Sequence, residues 1–291
     1  MYQLCVNIVF YWTLILLVSK SFYLLYDTTK FFNLAFAFCI TGSGYLTHLF
    51  SRQFNLPTVL AILGAIVSIA GIGILSEILF YKPLRKRGAS SMALMIASLG
   101  LYVILQNAIS IVWGNSTKSI RTWDITVGHT FFGAHITSVQ IISIIVCILL
   151  FILGIVIMKY SSIGRNIRAV ASNSELSNIV GISSDRVILW AFGIGSALAA
   201  VAGILIAFDT DMRPTMGFSW LLYGVVAMII GGVGSNWGLV GGALLLAAAQ
   251  HMAGYYIGSQ WMDAVAYIIL ILFLIAKPLG FSGKRLKKIE I

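Results

Sequence analysis

Nine apolar stretches, at about 4–25, 31–50, 56–80, 91–113, 138–158, 187–208, 218–230, 238–254 and 262–276, follow one another along the chain with polar links between them. Most approach the roughly 20 residues that a helix needs to cross the hydrocarbon of a bilayer. Charged residues make up only 10% of the sequence, against about 25% in soluble domains. That deficit excludes an ordinary soluble globular protein and a disordered one. Backbone polar groups in lipid must be satisfied within the protein, which leaves helices for apolar runs of this length. The sequence therefore predicts an all-α fold, a polytopic transmembrane helical bundle of eight or nine membrane segments, as a single membrane domain over 1–291. The stretch 218–230 is short and either crosses or re-enters.

Charge sets the orientation. Lysines and arginines number 19 against nine acids, a net of +10. The cations cluster in short links beside apolar runs, which is the positive-inside pattern of a membrane protein rather than a nucleic-acid surface. Lys82, Arg85, Lys86 and Arg87 form one cluster. Lys159, Arg165, Arg168 and Arg186 form a second, and Lys284, Arg285, Lys287 and Lys288 a third. All three are expected in the cytoplasm. The links 114–137 and 209–217 are nearly balanced in charge and are expected outside. Counting back places the N-terminus outside and favours a crossing by 218–230. The first run lacks a preceding basic region and reads as a retained span rather than a cleaved signal. Cys5, Cys39 and Cys147 lie in apolar stretches with no metal or disulfide spacing and read as small core residues. Glycines and alanines along 193–203 and at Gly238 and Gly242 suit close helix packing in lipid.

The link 159–186 is longer than a turn requires. Within it, Ser172 and Glu175 have capping-box spacing, and Leu176, Ile179 and Val180 fall on one helical face. Gly181 suits the left-handed residue that ends a helix, and 183–185 can cap the next span. The sequence thus predicts a short amphipathic helix in the cytoplasm. Its apolar stripe could rest on the membrane, on the protein itself, or in a groove of a soluble partner.

Machinery for chemistry is absent from the sequence. There is no phosphate-binding G-x-x-x-x-G-K-[ST] motif; Gly280-Phe281-Ser282-Gly283-Lys284 has the wrong spacing. The four histidines have no zinc spacing, and no nucleophile elbow occurs. The chain is expected not to be an enzyme and to bind no cofactor or metal. A few polar residues lie in the apolar runs, and such residues often mark a passage. Asn33, Gln106 and Asn107 are the candidates for a translocation pathway. Gly231, Gly232, Gly234 and Ser235 interrupt an apolar stretch, either as a plain turn or as the broken helix of a transport site.

Five motifs in order carry a family resemblance. They are Tyr81-Lys82-Pro83-Leu84-Arg85, Gly164-Arg165-Asn166-Ile167-Arg168-Ala169, Gly181-Ile182, Gly231-Gly232-Val233-Gly234-Ser235 and Lys277-Pro278-Leu279-Gly280-Phe281-Ser282-Gly283. The chain resembles the permease subunits of the branched-chain amino-acid ABC importers, whose relatives include urea and amide permeases. The likeness covers about 30–291. It implies that the helix near 172–182 is a coupling helix seated on an ATPase, with Arg165, Arg168, Glu175, Leu176, Ile179, Val180, Gly181 and Ile182 as the coupling residues. It also implies a second permease subunit, cytoplasmic ATP-binding subunits that hold ATP and Mg, an extracytoplasmic substrate-binding protein, and a place in the cytoplasmic (inner) membrane. Three positions in two segments depart from the family pattern. Asn33-Leu34-Ala35-Phe36-Ala37-Phe38 lacks the family's histidine and glutamate, and Gln250 stands where a glutamate is usual. The rival readings are a self-contained secondary transporter or channel and an intramembrane enzyme; the latter would need a polar catalytic cluster that the sequence lacks.

Overall fold

The structure, a computed structural model, describes residues 1–121, 128–131, 134–277 and 280–281. The basic tail at Lys284, Arg285, Lys287 and Lys288 lies outside the described residues, as do Pro278, Leu279, Ser282 and Gly283 of the last motif.

Each apolar stretch contains a helix. In chain order they are α1 (Tyr2–Thr29), α2 (Phe36–His48), α3 (Thr58–Ser76), a short α4 (Lys82–Lys86), α5 (Ser91–Trp113), α6 (Ser138–Tyr160), α7 (Ser162–Ser172), α8 (Ser174–Ile179), α9 (Ser184–Asp209), α10 (Met216–Gly231), α11 (Asn236–Tyr256) and α12 (Met262–Ala276). π-Helical turns at Leu49–Gln53 and Glu77–Tyr81 extend α2 and α3. Among the described residues six helical segments are long and apolar enough to cross a bilayer: Tyr2–Thr29, Thr58–Lys86, Ser91–Trp113, Ser138–Tyr160, Ser184–Asp209 and Ser259–Ala276. Met216–Gly231 is a shorter apolar helix. The protein is an all-α, multi-pass membrane bundle. Its small exception is a hairpin of β1 (His129–Phe131) and β2 (Ala134–Ile136), antiparallel with His129 opposite Ile136.

Helix ends follow side-chain chemistry. The Ser90 hydroxyl accepts from the Ala93 amide at the start of α5. Thr137 and Gln140 form a reciprocal capping box on α6, which satisfies two otherwise orphaned donors. Ser235 accepts from the Gly238 amide to open α11.

The interior is built on α1 and α9. Helix α1 packs against α6, α9, α10 and α11, and α9 packs against α1, α2 and α3. Phe10, Leu14, Leu17, Phe22 and Leu25 of α1 are buried, as are Phe192, Ala199, Ala202 and Ile206 of α9. Small residues make the approach possible. A side chain at Gly203 would meet the carbonyl of Ile40 and the hydroxyl of Ser43 on α2. Gly231 and Gly238 similarly bring α10 and α11 into backbone contact. Helices α3, α5, α6 and α12 form the outside, and Val67, Ile104, Ile145 and Leu272 point outward. In lipid such faces need no covering, because tails are as apolar as the side chains.

Polar contacts identify the two ends of the bundle. At one end Lys82 pairs with Asp185 at 3.1 Å, bringing the 82–90 link to the start of α9. This end carries the clusters around Arg85 and Arg165. At the other end Gln3 of α1 donates to the carbonyl of His135 and accepts from its amide. There Lys118 and Met212 exchange backbone hydrogen bonds, and Arg52 donates to the carbonyl of Arg121.

Candidate functional site

Helix α8 projects from the basic end. Asn173 caps it: its side-chain oxygen accepts from the amides of Glu175 at 2.9 Å and Leu176 at 3.0 Å. The expected cap, Ser172, is instead the last residue of α7. Both residue types are good caps, and α7 continues through Ser172 because Gly164, Ile167 and Val170 hold its inner face in the bundle. The turn after α8 is as expected, with Gly181 at φ +88°.

The faces of α8 are sharply divided. Ser177 is buried and donates to the carbonyl of Asn173. Leu176, Ile179 and Val180 are 59%, 80% and 73% exposed. Among the described residues nothing covers the stripe. Glu175 and Gly181 are also exposed, and Ile182 is half-buried. Arg165 is exposed and donates to the carbonyl of Tyr160 at 3.2 Å, while Arg168 is exposed on the same helix. The mount is stiff. The Ile182 amide donates to the carbonyl of Ser177 at 2.9 Å, and the Ser184 amide donates to the side-chain oxygen of Asn178 at 2.9 Å. Helix α8 is thereby tied to the first turn of α9 with no slack segment between them.

The second group of candidate residues lies inside the bundle. Between α1 and α2 the chain unwinds over 30–35, where Lys30 is exposed and Phe31, Asn33 and Ala35 are buried. One backbone group finds a side-chain partner: the Leu34 amide donates to the Ser98 hydroxyl at 2.9 Å, and that hydroxyl's single proton is shared between the carbonyls of Met95 at 2.6 Å and Phe32 at 3.3 Å. Asn33 is buried and its side-chain oxygen accepts from the Tyr81 hydroxyl at 2.9 Å. Asn33 borders a crevice of about 10 Å³ with Phe36, Cys39, Leu101, Leu105 and Ser196, which is room for roughly one water.

Gln106, half-buried, follows Leu105 on α5, and Asn107 is exposed on the outward face, donating to the carbonyl of Val103 at 2.8 Å. Gly231, Gly232, Gly234 and Ser235 do not line the Asn33 crevice. They form the turn from α10 to α11, with Gly232 at φ +90° and Gly234 at φ +104°. The last motif returns to this turn, and the Phe281 amide donates to the carbonyl of Ile230 at 2.9 Å. Two motifs far apart in sequence thus share one corner.

Other polar contacts escape a sequence reading. Glu77 is fully buried and receives both guanidinium nitrogens of Arg85. Lys20, a lone cation in the first apolar run, is buried and donates to the side-chain oxygen of Asn236 at 2.6 Å. Arg85 and Tyr81 belong to a motif that sequence order alone singles out. Lys20 could have been noticed as the one charge inside an otherwise apolar stretch, though nothing in sequence names its partner. Among the described residues no group of three or more His, Cys, Asp or Glu could hold a metal.

A family model described as "Branched-chain amino acid transport system / permease component" matches residues 4–274. The high-affinity branched-chain amino acid transport system permease protein LivH of Escherichia coli K12 is 33% identical over 226 residues, 76% of this chain and 73% of that protein. BraD of Pseudomonas aeruginosa, named for the same system, is 32% identical over 77% of this chain and 74% of its own. A probable LivH of Methanocaldococcus jannaschii is 28% identical over 97% of this chain and 92% of its own. Among solved structures, PsaBC from Streptococcus pneumoniae in complex with Fab superposes with a TM-score of 0.53 at 11% identity, covering 94% of this chain and 92% of that one; that likeness concerns the fold alone. The chain belongs to the branched-chain amino acid transport system permease family of ABC transporters, and is a membrane transport component rather than an enzyme.

Proposed function

We propose that this protein is the membrane-spanning permease subunit of an ABC importer that moves branched-chain amino acids, or a similar small polar solute, across the cytoplasmic (inner) membrane. The observation that carries the reading is helix α8: capped, stiffly mounted and presenting Leu176, Ile179 and Val180 to its surroundings at the basic end. An apolar stripe of this spacing suits a groove on a partner, the helix-in-groove mode. The partner is a cytoplasmic ATP-binding subunit, which holds ATP and Mg; this chain contributes no cofactor of its own. Arg165 and Arg168 hold the neighbouring α7 at the membrane surface, and Glu175, Gly181 and Ile182 shape the docking turn.

The remaining parts follow from that assignment. The chain acts as one permease domain over 1–291, with its coupling loop at 159–186. The nine apolar helices cross the membrane, α10 included, so that the basic end is cytoplasmic and the N-terminus is outside. A second permease subunit packs alongside, and an extracytoplasmic binding protein delivers solute. Asn33, Gln106 and Asn107 contribute to the pathway; an amide exposed on α5 at membrane depth calls for a polar neighbour. The turn Gly231–Ser235 fixes α10 against α11. The named substrate of the relatives supports an amino-acid solute, while the sequence around Asn33 and Gln250 departs from the family pattern.

The test is a double substitution, Leu176→Asp with Ile179→Asp. It is expected to abolish capture of the ATPase and ATP-driven uptake while membrane insertion is retained. Uptake and ATPase capture at the unsubstituted level would refute the assignment.

A further inference from the structure

The motif Tyr81-Lys82-Pro83-Leu84-Arg85 has a place in the family pattern but no assigned work. The structure shows what it touches. Lys82 pairs with Asp185 at 3.1 Å. Asp185 is the second residue of α9, one residue past the Ser184 amide that is bonded to Asn178 of α8. On the other side of the same turn, Tyr81 is fully buried and its hydroxyl donates to Asn33 at 2.9 Å. Asn33 sits in the unwound segment between α1 and α2. The backbone that joins these contacts is a π-helical turn, Glu77–Tyr81, a form often found at functional positions. Its first residue, the buried Glu77, is clamped to Arg85 of α4, which lies four residues past its end. An acid buried in this way is costly unless both oxygens are satisfied, and Arg85 satisfies them bidentately.

We propose that the segment 77–85 is the transmission link of the permease: it carries displacement of α8 through Asp185 and Lys82 to Tyr81, and through Tyr81 to Asn33 and the unwound segment. The two contacts differ in kind. The Lys82–Asp185 pair is partly exposed, so its strength is small and its contribution is direction. The Tyr81–Asn33 bond is buried, and losing its donor leaves a buried amide unsatisfied. Tyr81, Lys82 and Asp185 are positioning residues, since none of them touches the solute in this assignment. The inference rests on the proposed role of α8 as the ATPase contact.

Cys39 supplies a readout that needs no knowledge of the solute, because it is buried and borders the same crevice as Asn33. The experiment uses the intact complex with its ATPases, purified with Cys5→Ser and Cys147→Ser in this chain and with other accessible cysteines removed from its partners. The alkylation rate of Cys39 by N-ethylmaleimide is measured without nucleotide and after trapping with ATP and vanadate. The expected result is a nucleotide-dependent change of about fivefold, the size of one net hydrogen bond. Tyr81→Phe should abolish that response, and Lys82→Asp or Asp185→Lys alone should reduce it. The double exchange, Lys82→Asp with Asp185→Lys, should restore it, while ATPase capture and the nucleotide-free alkylation rate stay unchanged in the single variants, a combination that a merely structural role would not give. Should Tyr81→Phe fail to assemble, the charge exchange decides alone. A full response in Tyr81→Phe, no rescue by the exchange, or no response in the unsubstituted complex would overturn the link. Failure of the ATPases to co-purify with the unsubstituted chain would instead refute the proposed function itself.

Discussion

Asn173 shows how much one side chain settles. Its oxygen takes two amides that the first turn of α8 would otherwise leave unpaired, and a helix of six residues has few other bonds to hold it. Removing such a cap costs about 1 kcal/mol. Asn173→Ala should therefore speed hydrogen exchange of the amides from Glu175 to Val180 by about fivefold, with exchange along α9 unchanged; unchanged exchange in α8 would show that packing alone orders it. The residue pattern gave the helix, its apolar stripe and Gly181, because periodicity and left-handed backbone are local properties; it did not give the exposure of that stripe. It did not give the choice between Ser172 and Asn173, since that choice is made by how far α7 stays seated through Ile167 and Val170. Nor could it give Tyr81 with Asn33, or Lys20 with Asn236. Those bonds join residues distant in sequence and depend on how helices stack.

At the scale of elements, packing is governed by where side chains are missing. Helix α9 lies against α2 at Gly203, where an added side chain meets the backbone of Ile40. Gly203→Val should lower stability by about 3 kcal/mol, the upper range for overpacking, read as a depressed unfolding midpoint in detergent. Gly100 on α5 has open space around its missing side chain. Gly100→Ala should be neutral or stabilising by about 0.5–1 kcal/mol, because alanine is the better helix former. Equal effects at the two sites would contradict this reading of the packing. All nine apolar stretches contain helices, since long hydrophobic runs have few alternatives in lipid. Boundaries shifted where side chains intervene: the second stretch begins as an unwound segment because Ser98 and Tyr81 supply its polar partners, and α2 proper starts at Phe36. The helix α7, the π-helical turns and the short hairpin left no clear mark in hydropathy.

Across the whole molecule, charge and contact divide the bundle in the same way. The Arg85 and Arg165 clusters gather at one end, and the Gln3–His135 and Lys118–Met212 contacts gather at the other. The positive-inside rule then predicts the sidedness. On a cysteine-free background, Lys86→Cys and Ser174→Cys should react with an impermeant thiol reagent only from the cytoplasmic side. Asn115→Cys and Ser259→Cys should react only from the outer side. Labelling of Ser174→Cys from outside would invert the account of α8.

The central claim, that the chain works as one part of an ATP-driven importer, is tested most directly by purifying the tagged protein from its native membrane in gentle detergent and identifying what accompanies it by mass spectrometry. The account predicts an ATP-binding subunit and a second permease in the same complex, the ATP-binding subunit being lost together with uptake when Leu176 and Ile179 are replaced by aspartate. A protein recovered without either, and transporting solute in liposomes without ATP, would contradict it.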